Sequence, residues 1–261
     1  MRTLAVNCGS STLKFKLIDI EESVHEQQHE VARGTIERIG SDSSGVKFAT
    51  KSNVVLQQRV DVPDHGEAIR WVLDWLSSTS LVSSDGPGAV GHRIVHGADY
   101  FDQPVLIDDE VMKIIETLGD LAPLHNRPSL AAIRAAQEAL GSSVPMVGVF
   151  DTAFHQTIPD HAAQYAIPKE LTDKYGIRRY GFHGTAHRYM TERYAVITGT
   201  PVEQARLVTL QLGNGCSATA VKEGCSVDTS LGLTPLEGLI MGTRSGSVDP
   251  SLVAFLAQHE K

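Results

Sequence analysis

Three cysteines among 261 residues, Cys8, Cys216 and Cys225, are too few and too scattered for a disulfide framework, and none belongs to a CxxC pair of the kind that holds structural zinc. A reducing, cytoplasmic setting is therefore the expectation. Positive charge is scarce too. Only 23 Lys and Arg stand against 31 Asp and Glu, a net charge of −8. That leaves no general basic surface, so neither nucleic acid nor a membrane is expected as a partner. Long apolar runs are also missing. The N-terminus offers Arg2 and the run Leu4 to Val6, too little for a signal peptide, and nothing later approaches the roughly 20 apolar residues that span a bilayer. What is present is the composition of a folded chain, 41% hydrophobic and 21% charged, long enough for one large domain or two smaller ones.

Leu4 to Val6 and Phe15 to Ile18 predict two strands joined by the small-residue turn Cys8-Gly9-Ser10-Ser11-Thr12. Further strands are expected at Val31 to Ile39, Val46 to Ala49 and Val54 to Val60. A helix follows, announced by Asp64 with Glu67 as a capping box and by the apolar spacing Ile69, Val72, Leu73, Leu76. Ala89 to Val95 predicts a strand, Asp108 to Leu118 and Ser129 to Leu140 helices, and Val144 to Phe150 an apolar strand ending at Asp151. Strands followed by alternating helices and strands make an α/β domain with a mixed sheet. After Asp151 come a helix from Thr185 to Val196, a strand from Leu207 to Leu212, the turn Gly213-Asn214-Gly215-Cys216-Ser217, a strand from Ala218 to Lys222, a long loop and a helix from Asp249 to His259. Strand, Gly/Ser turn and strand thus occur twice, which suggests two related domains, 1–150 and 151–261.

Gly/Ser turns expose successive backbone N–H groups that can cradle phosphate oxygens. Lys14, four residues past Ser10, adds a positive charge, although most such turns only connect strands. In Gly91-His92-Arg93-Ile94-Val95-His96-Gly97, strand alternation sends Arg93 and Val95 to one face and His92, Ile94 and His96 to the other. A guanidinium fork beside a small aliphatic side chain suits a short carboxylate. His92 and His96 could instead be metal ligands on a shared face, but without a clear third ligand ordinary packing competes. Asp151 falls just past a buried strand, where open α/β sheets place ligand groups, and helix capping is the competing role. His183 and His187 form an HxxxH pair at a helix start, lacking the Glu that would follow the first His in a zinc protease; a histidine donating to an anion there is the alternative. Arg244 lies in the glycine-dense loop from Thr234 to Gly246 and supplies a second cation.

Together these segments resemble the acetate kinase family, within the acetate and sugar kinase, heat-shock 70 and actin superfamily. Asn7-Cys8-Gly9-Ser10-Ser11-Thr12-Leu13-Lys14 resembles its first signature, and Gly181 to His187 with the glycine-rich stretch to Arg244 its second; Gly91 to Gly97, Ala122 to Asn126 and Phe150 to His155 match as well. The resemblance implies a duplicated ribonuclease H-like, actin-like ATPase fold, with residues 1–150 serving the acyl substrate and phosphate and 151–261 opening a nucleotide domain. It implies ATP and acetate as substrates, with ADP and acetyl phosphate in reverse, Mg2+ (or Mn2+) as cofactor, and a homodimer. Arg93, Asp151, His183 and Arg244 would be catalytic; Arg93, Val95, Leu124, Phe182 and Pro235 would hold the substrate; Ser10, Thr12, Lys14, Asn214 and Gly215 would serve the nucleotide phosphates, and Asn7 the metal region. Thr12 stands where the family usually has serine.

Family members are expected to continue past this chain, with a Gly-Ile-Gly-Glu-like adenosine segment that does not occur in these residues. The chain is accordingly expected to lack part of its second domain. Two other readings stand beside the kinase: a non-catalytic binding or assembly module that keeps the carboxylate and phosphate loops, and a zinc hydrolase using His183, His187 and Asp151.

Overall fold

Alternation of apolar and polar residues along Arg2–Cys8 (β1) and Thr12–Ile20 (β2) makes the opening hairpin. Leu4, Val6, Cys8, Leu13, Phe15 and Leu17 are buried on one face, while Asn7, Lys14 and Lys16 stand exposed on the other. A computed structural model describes residues 1–20, 28–51, 53–120 and 126–260. It divides the chain into two units, Met1–Phe150 and Asp151–Lys261.

In the first unit the antiparallel ladder continues through β3 (Gln28–Glu37), β4 (Ser44–Thr50) and β5 (Val54–Val60). On its other edge β1 pairs in parallel with β6 (Ala89–Ile94); the two-residue β7 (Val105–Leu106) and β8 (Met146–Phe150) complete the order β5-β4-β3-β2-β1-β6-β8-β7. The aliphatic face is covered by α1 (His65–Ser78) and, after α2 (Asp109–Thr117), by α3 (Asn126–Leu140). Trp75 of α1 lies 5.1 Å from Phe48 and 6.0 Å from Phe15, ring to ring. Gly34 pairs with both phenylalanines across β3 because a Cβ there would strike their rings.

The helix starts follow their caps. Asp64 accepts from the Glu67 N–H at 2.8 Å, as its spacing predicts, but the Glu67 carboxylate turns to Arg70 at 3.2 Å, so only half of the capping box forms. Asp108 accepts from the N–H groups of Glu110 and Val111. Helix α3 starts three residues before the expected Ser129, with Pro128 in its first turn, where the missing N–H has no intrahelical acceptor to lose.

The second unit opens with a 3-10 turn at Ala153–His155, followed by α4 (Asp160–Ala163), α5 (Lys169–Tyr175) and α6 (Gly184–Thr198). A three-stranded antiparallel sheet follows, β9 (Arg206–Leu212), β10 (Cys216–Lys222) and β11 (Cys225–Thr229), in the order β11-β10-β9, and then α7 (Ser251–His259). The short helices α4 and α5 and the strand β11 have no counterpart in the sequence reading. The second Gly/Ser turn is tighter than expected: Cys216 already pairs with Leu212 and Ser217 with Gln211, leaving Gly213, Asn214 and Gly215 to turn the chain. One side of this sheet buries Thr209, Ser217, Thr219 and Thr229, whereas Val208, Leu210 and Leu212 on β9 are 67%, 56% and 68% exposed. Among the described residues no helix is long and apolar enough to cross a membrane, and the three cysteines are free thiols.

Candidate active site

Register builds the first unit's polar row. Asn7 on β1 lies opposite Lys14 on β2 and opposite Arg93 on β6, so three neighbouring strands bring these side chains together on the open face. Arg93 Nη1 donates to Asn7 Oδ1 at 2.9 Å. The adjoining turn is closed by the Gly9 N–H donating to the Thr12 carbonyl at 2.8 Å, and His65 Nε2 on α1 bonds the Gly9 carbonyl at 2.8 Å. Ser10 and Ser11 remain exposed at its tip, and Thr12 is half-buried. Burial holds the His65 ring below its ordinary pKa, which favours the neutral form.

Strand β6 ends at Ile94, so the alternation that sets Arg93 and Val95 side by side stops one residue short; Val95 is buried beyond the strand. For the same reason His92 and His96 do not share a strand face. His92 is buried, Nε2 meets no partner among the described residues, and burial pushes its pKa down to about 4. His96 instead has its backbone gripped by buried Asn126, which accepts from the His96 N–H at 3.1 Å and donates to its carbonyl at 2.9 Å. Neither histidine forms a ligand pair, which removes that metal reading. Leu124 lies outside the described residues.

In the second unit the candidates converge around the start of α6. Asp151, 1% exposed, accepts from the His183 N–H through Oδ2 at 3.3 Å, and its carbonyl accepts from the Gly184 N–H at 2.9 Å. The Asp151 side chain thus reaches the residue that precedes helix α6, 32 positions away in sequence. Gly184 is required here: the Asp151 carbonyl and the Phe154 side chain occupy the place of a Cβ. His183, the N-cap, has φ 60° and ψ 20°. That left-handed conformation costs a non-glycine residue about 1–2 kcal/mol, and such strain is concentrated at functional positions.

His183 Nδ1 bonds Ser217 Oγ at 2.8 Å, and the other edge of its ring turns to the second Gly/Ser turn. A Cβ added to Gly215 would lie 3.6 Å from His183 Nε2 and 3.5 Å from Arg244 Nη1. One backbone position therefore has a guanidinium and an imidazole against it, an arrangement suited to an anion. Arg244 is held by donating from Nη1 to the Pro235 carbonyl at 2.9 Å. The Gly242 N–H donates to the Asn214 carbonyl at 3.0 Å, tying the glycine-rich loop to the turn. The loop is anchored further back by Glu237, which accepts from Tyr165 and Arg179, each at 2.8 Å. Phe182 is buried and Pro235 half-buried.

Sequence reasoning passed over Thr209, and it gave Ser217 and His155 no role of their own beyond the segments that contain them. His155 Nε2 bonds the Phe182 carbonyl at 3.0 Å and Nδ1 the Ser226 hydroxyl at 2.9 Å, and burial drives its pKa down to about 4. The signal was present in the alternation of Thr209, Ser217, Thr219 and Thr229, but hydroxyl residues in strands read as solvent-facing when they in fact line a buried face.

The zinc reading fails. Both ring nitrogens of His187 are taken by hydroxyls, and among the described residues no group of three His, Cys, Asp or Glu side chains is arranged to hold a metal. The donor set does not fit a protein-built magnesium cage either, since Mg2+ seeks carboxylate or phosphate oxygens and the Asn7 amide oxygen already faces a guanidinium.

A mixed α/β sheet with flanking helices, opened by a Gly/Ser-turn hairpin that recurs in the second unit, is an actin-like ATPase fold. The model of the acetokinase family matches residues 2–261. The acetate kinase of Caldanaerobacter subterraneus subsp. tengcongensis is 51% identical over 263 residues, covering 100% of this chain and 64% of its own length. Among solved structures, an acetate kinase from Porphyromonas gingivalis matches with a TM-score of 0.89 at 40% identity over 99% of this chain and 64% of that one. A propionate kinase from Francisella tularensis subsp. tularensis matches with a TM-score of 0.88 at 41% identity over 98% and 64%. The chain belongs to the acetokinase family, and it spans about 64% of the length of these relatives.

Proposed function

We propose that this chain carries phosphoryl-transfer machinery for an ATP-dependent carboxylate kinase that forms acetyl phosphate and ADP from acetate and ATP. The observation that carries the reading is the convergence of His183 and Arg244 on Gly215. The names of its relatives supply the substrate class: acetate kinases, with a propionate kinase among the solved structures.

A carboxylate with a pKa of about 4 is ionised near neutrality, so one acetate oxygen can form the new bond to the γ-phosphorus without a general base. The bond from that phosphorus to the β,γ-bridging oxygen breaks, and ADP leaves with the electron pair. The protein's task is to position two anions and offset their repulsion. In the first unit Arg93 takes the carboxylate or the transferring group, with Ser10, Thr12 and Lys14 on the phosphate side. In the second unit His183 and Arg244 donate to phosphoryl oxygens, Asp151 fixes the two amides that aim His183, and Asn214 and Gly215 serve the nucleotide phosphates. Magnesium or manganese would come bound to the nucleotide phosphates and offset their charge, with no protein cage among the described residues to hold it. Val95 in the first unit limits the acyl chain; apolar contacts discriminate one methylene by only about 1–3 kcal/mol, so propionate is a poorer substrate rather than an excluded one. The setting is cytoplasmic and the assembly a homodimer.

A second reading is a binding or assembly module that keeps the anion sites without turnover; the same groups at Gly215 would serve it. One experiment separates the two: incubation with ATP, magnesium and acetate, trapping acetyl phosphate with hydroxylamine, alongside calorimetry with acetate and with phosphate. Acetyl hydroxamate that disappears in Arg93→Ala and Arg244→Ala supports the kinase. Anion binding without turnover supports the module. Turnover that survives both substitutions overturns the site assignment.

A further inference from the structure

Behind His183 runs a chain of hydrogen bonds that reaches no solvent. His183 Nδ1 bonds Ser217 Oγ at 2.8 Å, Ser217 Oγ bonds His187 Nε2 at 2.7 Å, and His187 Nδ1 bonds Thr209 Oγ1 at 2.7 Å. Ser217, His187 and Thr209 are 0%, 1% and 6% exposed. Three of the four residues lie on three different elements of the second unit, β9, β10 and α6, and His183 caps the last of these.

We infer that Ser217, His187 and Thr209 are positioning residues that hold the His183 ring with Nδ1 as acceptor and its proton on Nε2, aimed at the anion site beside Gly215 and Arg244.

The number of hydroxyl and ring protons sets the polarity of this hydrogen-bond chain. Ser217 has one hydroxyl hydrogen and two imidazole neighbours, so it donates to one ring and accepts from the other. If Thr209 donates to His187 Nδ1, then His187 Nε2–H donates to Ser217, Ser217 donates to His183 Nδ1, and the last N–H of the series emerges at His183 Nε2. Every buried donor is then used. Run the other way, His183 Nδ1–H donates to Ser217, Ser217 to His187 Nε2, and His187 Nδ1–H to Thr209. The Thr209 hydroxyl hydrogen then has no acceptor among the described residues. If both imidazoles donate to Ser217, its own hydrogen is stranded at a fully buried atom. A buried donor left unmade costs about 1–3 kcal/mol, whereas an unused lone pair costs less, so the first polarity prevails.

Charge supports the count. Burial, with His155 and His183 nearby, pushes His187 down to about 3, so it carries a single ring proton and transmits polarity rather than supplying two donors. Among the described residues, the charged and titratable groups near His183 include Asp151 and His155 from the segment before α6, His187 on α6 and Arg244 from the glycine-rich loop. An imidazole N–H on Nε2 can donate to a phosphoryl oxygen beside Arg244.

The purpose assigned to that N–H rests on the kinase reading, but the tautomer does not, and the test keeps them apart. The chain, labelled with 15N in its histidine rings, is examined by long-range 1H–15N correlation near neutral pH. His183 and His187 are both expected with the proton on Nε2; Ser217→Ala is expected to shift His183 to a mixture of tautomers, and Ser217→Thr, which keeps the hydroxyl, to restore the single form. A wild-type His183 with its proton on Nδ1 overturns the proposal, as does a folded Ser217→Ala variant with an unchanged His183 tautomer. Should Ser217→Ala fail to fold, the wild-type spectrum alone decides. Inorganic phosphate added to the same sample is expected to move the His183 Nε2 signal. Phosphate that binds elsewhere removes the phosphoryl contact while leaving the tautomer assignment intact.

Discussion

The two hairpins β1-β2 and β9-β10 carry the same two-faced pattern with opposite cover. Both start from a seven-residue strand beginning with Arg and ending just before a glycine, and both have one aliphatic and one polar face. In the first unit α1 and α3 lie on the aliphatic face, and the polar face with Asn7, Lys14 and Arg93 stands open. In the second unit the polar face is the buried one, with Thr209 and Ser217 gripping His187 and His183, while Val208, Leu210 and Leu212 are exposed. One alternating pattern thus serves two ends. In the first unit it builds a core and presents ligands; in the second it builds an internal proton network behind a single presented histidine.

The comparison can be broken most directly at the presented cations. Arg244→Ala is expected to lower kcat by about 10²–10³-fold, as loss of a preorganised charge donor does. Lys14→Ala, at the exposed end of its row, is expected to raise KM by less than tenfold; equal effects in the hydroxamate assay would erase the distinction. Next in size is the aliphatic face. Leu17→Ala is expected to cost about 2–5 kcal/mol in denaturant unfolding because it hollows a filled core, whereas Leu210→Ala, half exposed, is expected to be near neutral.

Acid should separate the units as well. His155 and His187 lie 5.8 Å apart, ring to ring, with pKa values lowered to about 4 and about 3; in the first unit His92 is lowered to about 4 and His65 is lowered with no comparably large shift. Above the ordinary histidine pKa of about 6.5 all are neutral, folded or unfolded, and burial carries no proton-linked penalty. As pH falls from about 6.5 towards about 4, the unfolded chain takes up protons that the folded one refuses, and each of His92 and His155 removes about 1.4 kcal/mol of stability per pH unit. Amide exchange followed during acid titration should therefore show the second unit opening at higher pH than the first. The smallest effect lies at a helix end: Asp64→Ala is expected to cost about 1 kcal/mol, read as a small fall in Tm.

Much of this molecule was legible in its residues. Strand β5 runs over the expected residues, the cap at Asp64 accepts from the Glu67 N–H where the spacing put it, and His183 does stand at the mouth of a helix. Misreadings had definite causes. Val95 was assigned to a strand face because alternation gives no sign of where a strand stops, and here it stops at Ile94. Ser217 was read as part of a phosphate-cradling turn, since only the register with Gln211 reveals that it sits on a strand and points inward. The partnership of Asp151 with the amides of His183 and Gly184 joins positions more than 30 apart, and no local pattern encodes such a reach.

The bare face of β9 matters for the chain's life before it reaches any substrate. An edge strand bearing three exposed aliphatic side chains is cohesive, because its unpaired backbone groups and its apolar surface both invite another strand. On the ribosome the first unit can close its core while the second is still being made. The second then emerges with Val208, Leu210 and Leu212 in water, at the concentration of its neighbours. These three positions are thus among the first in the second unit to need cover.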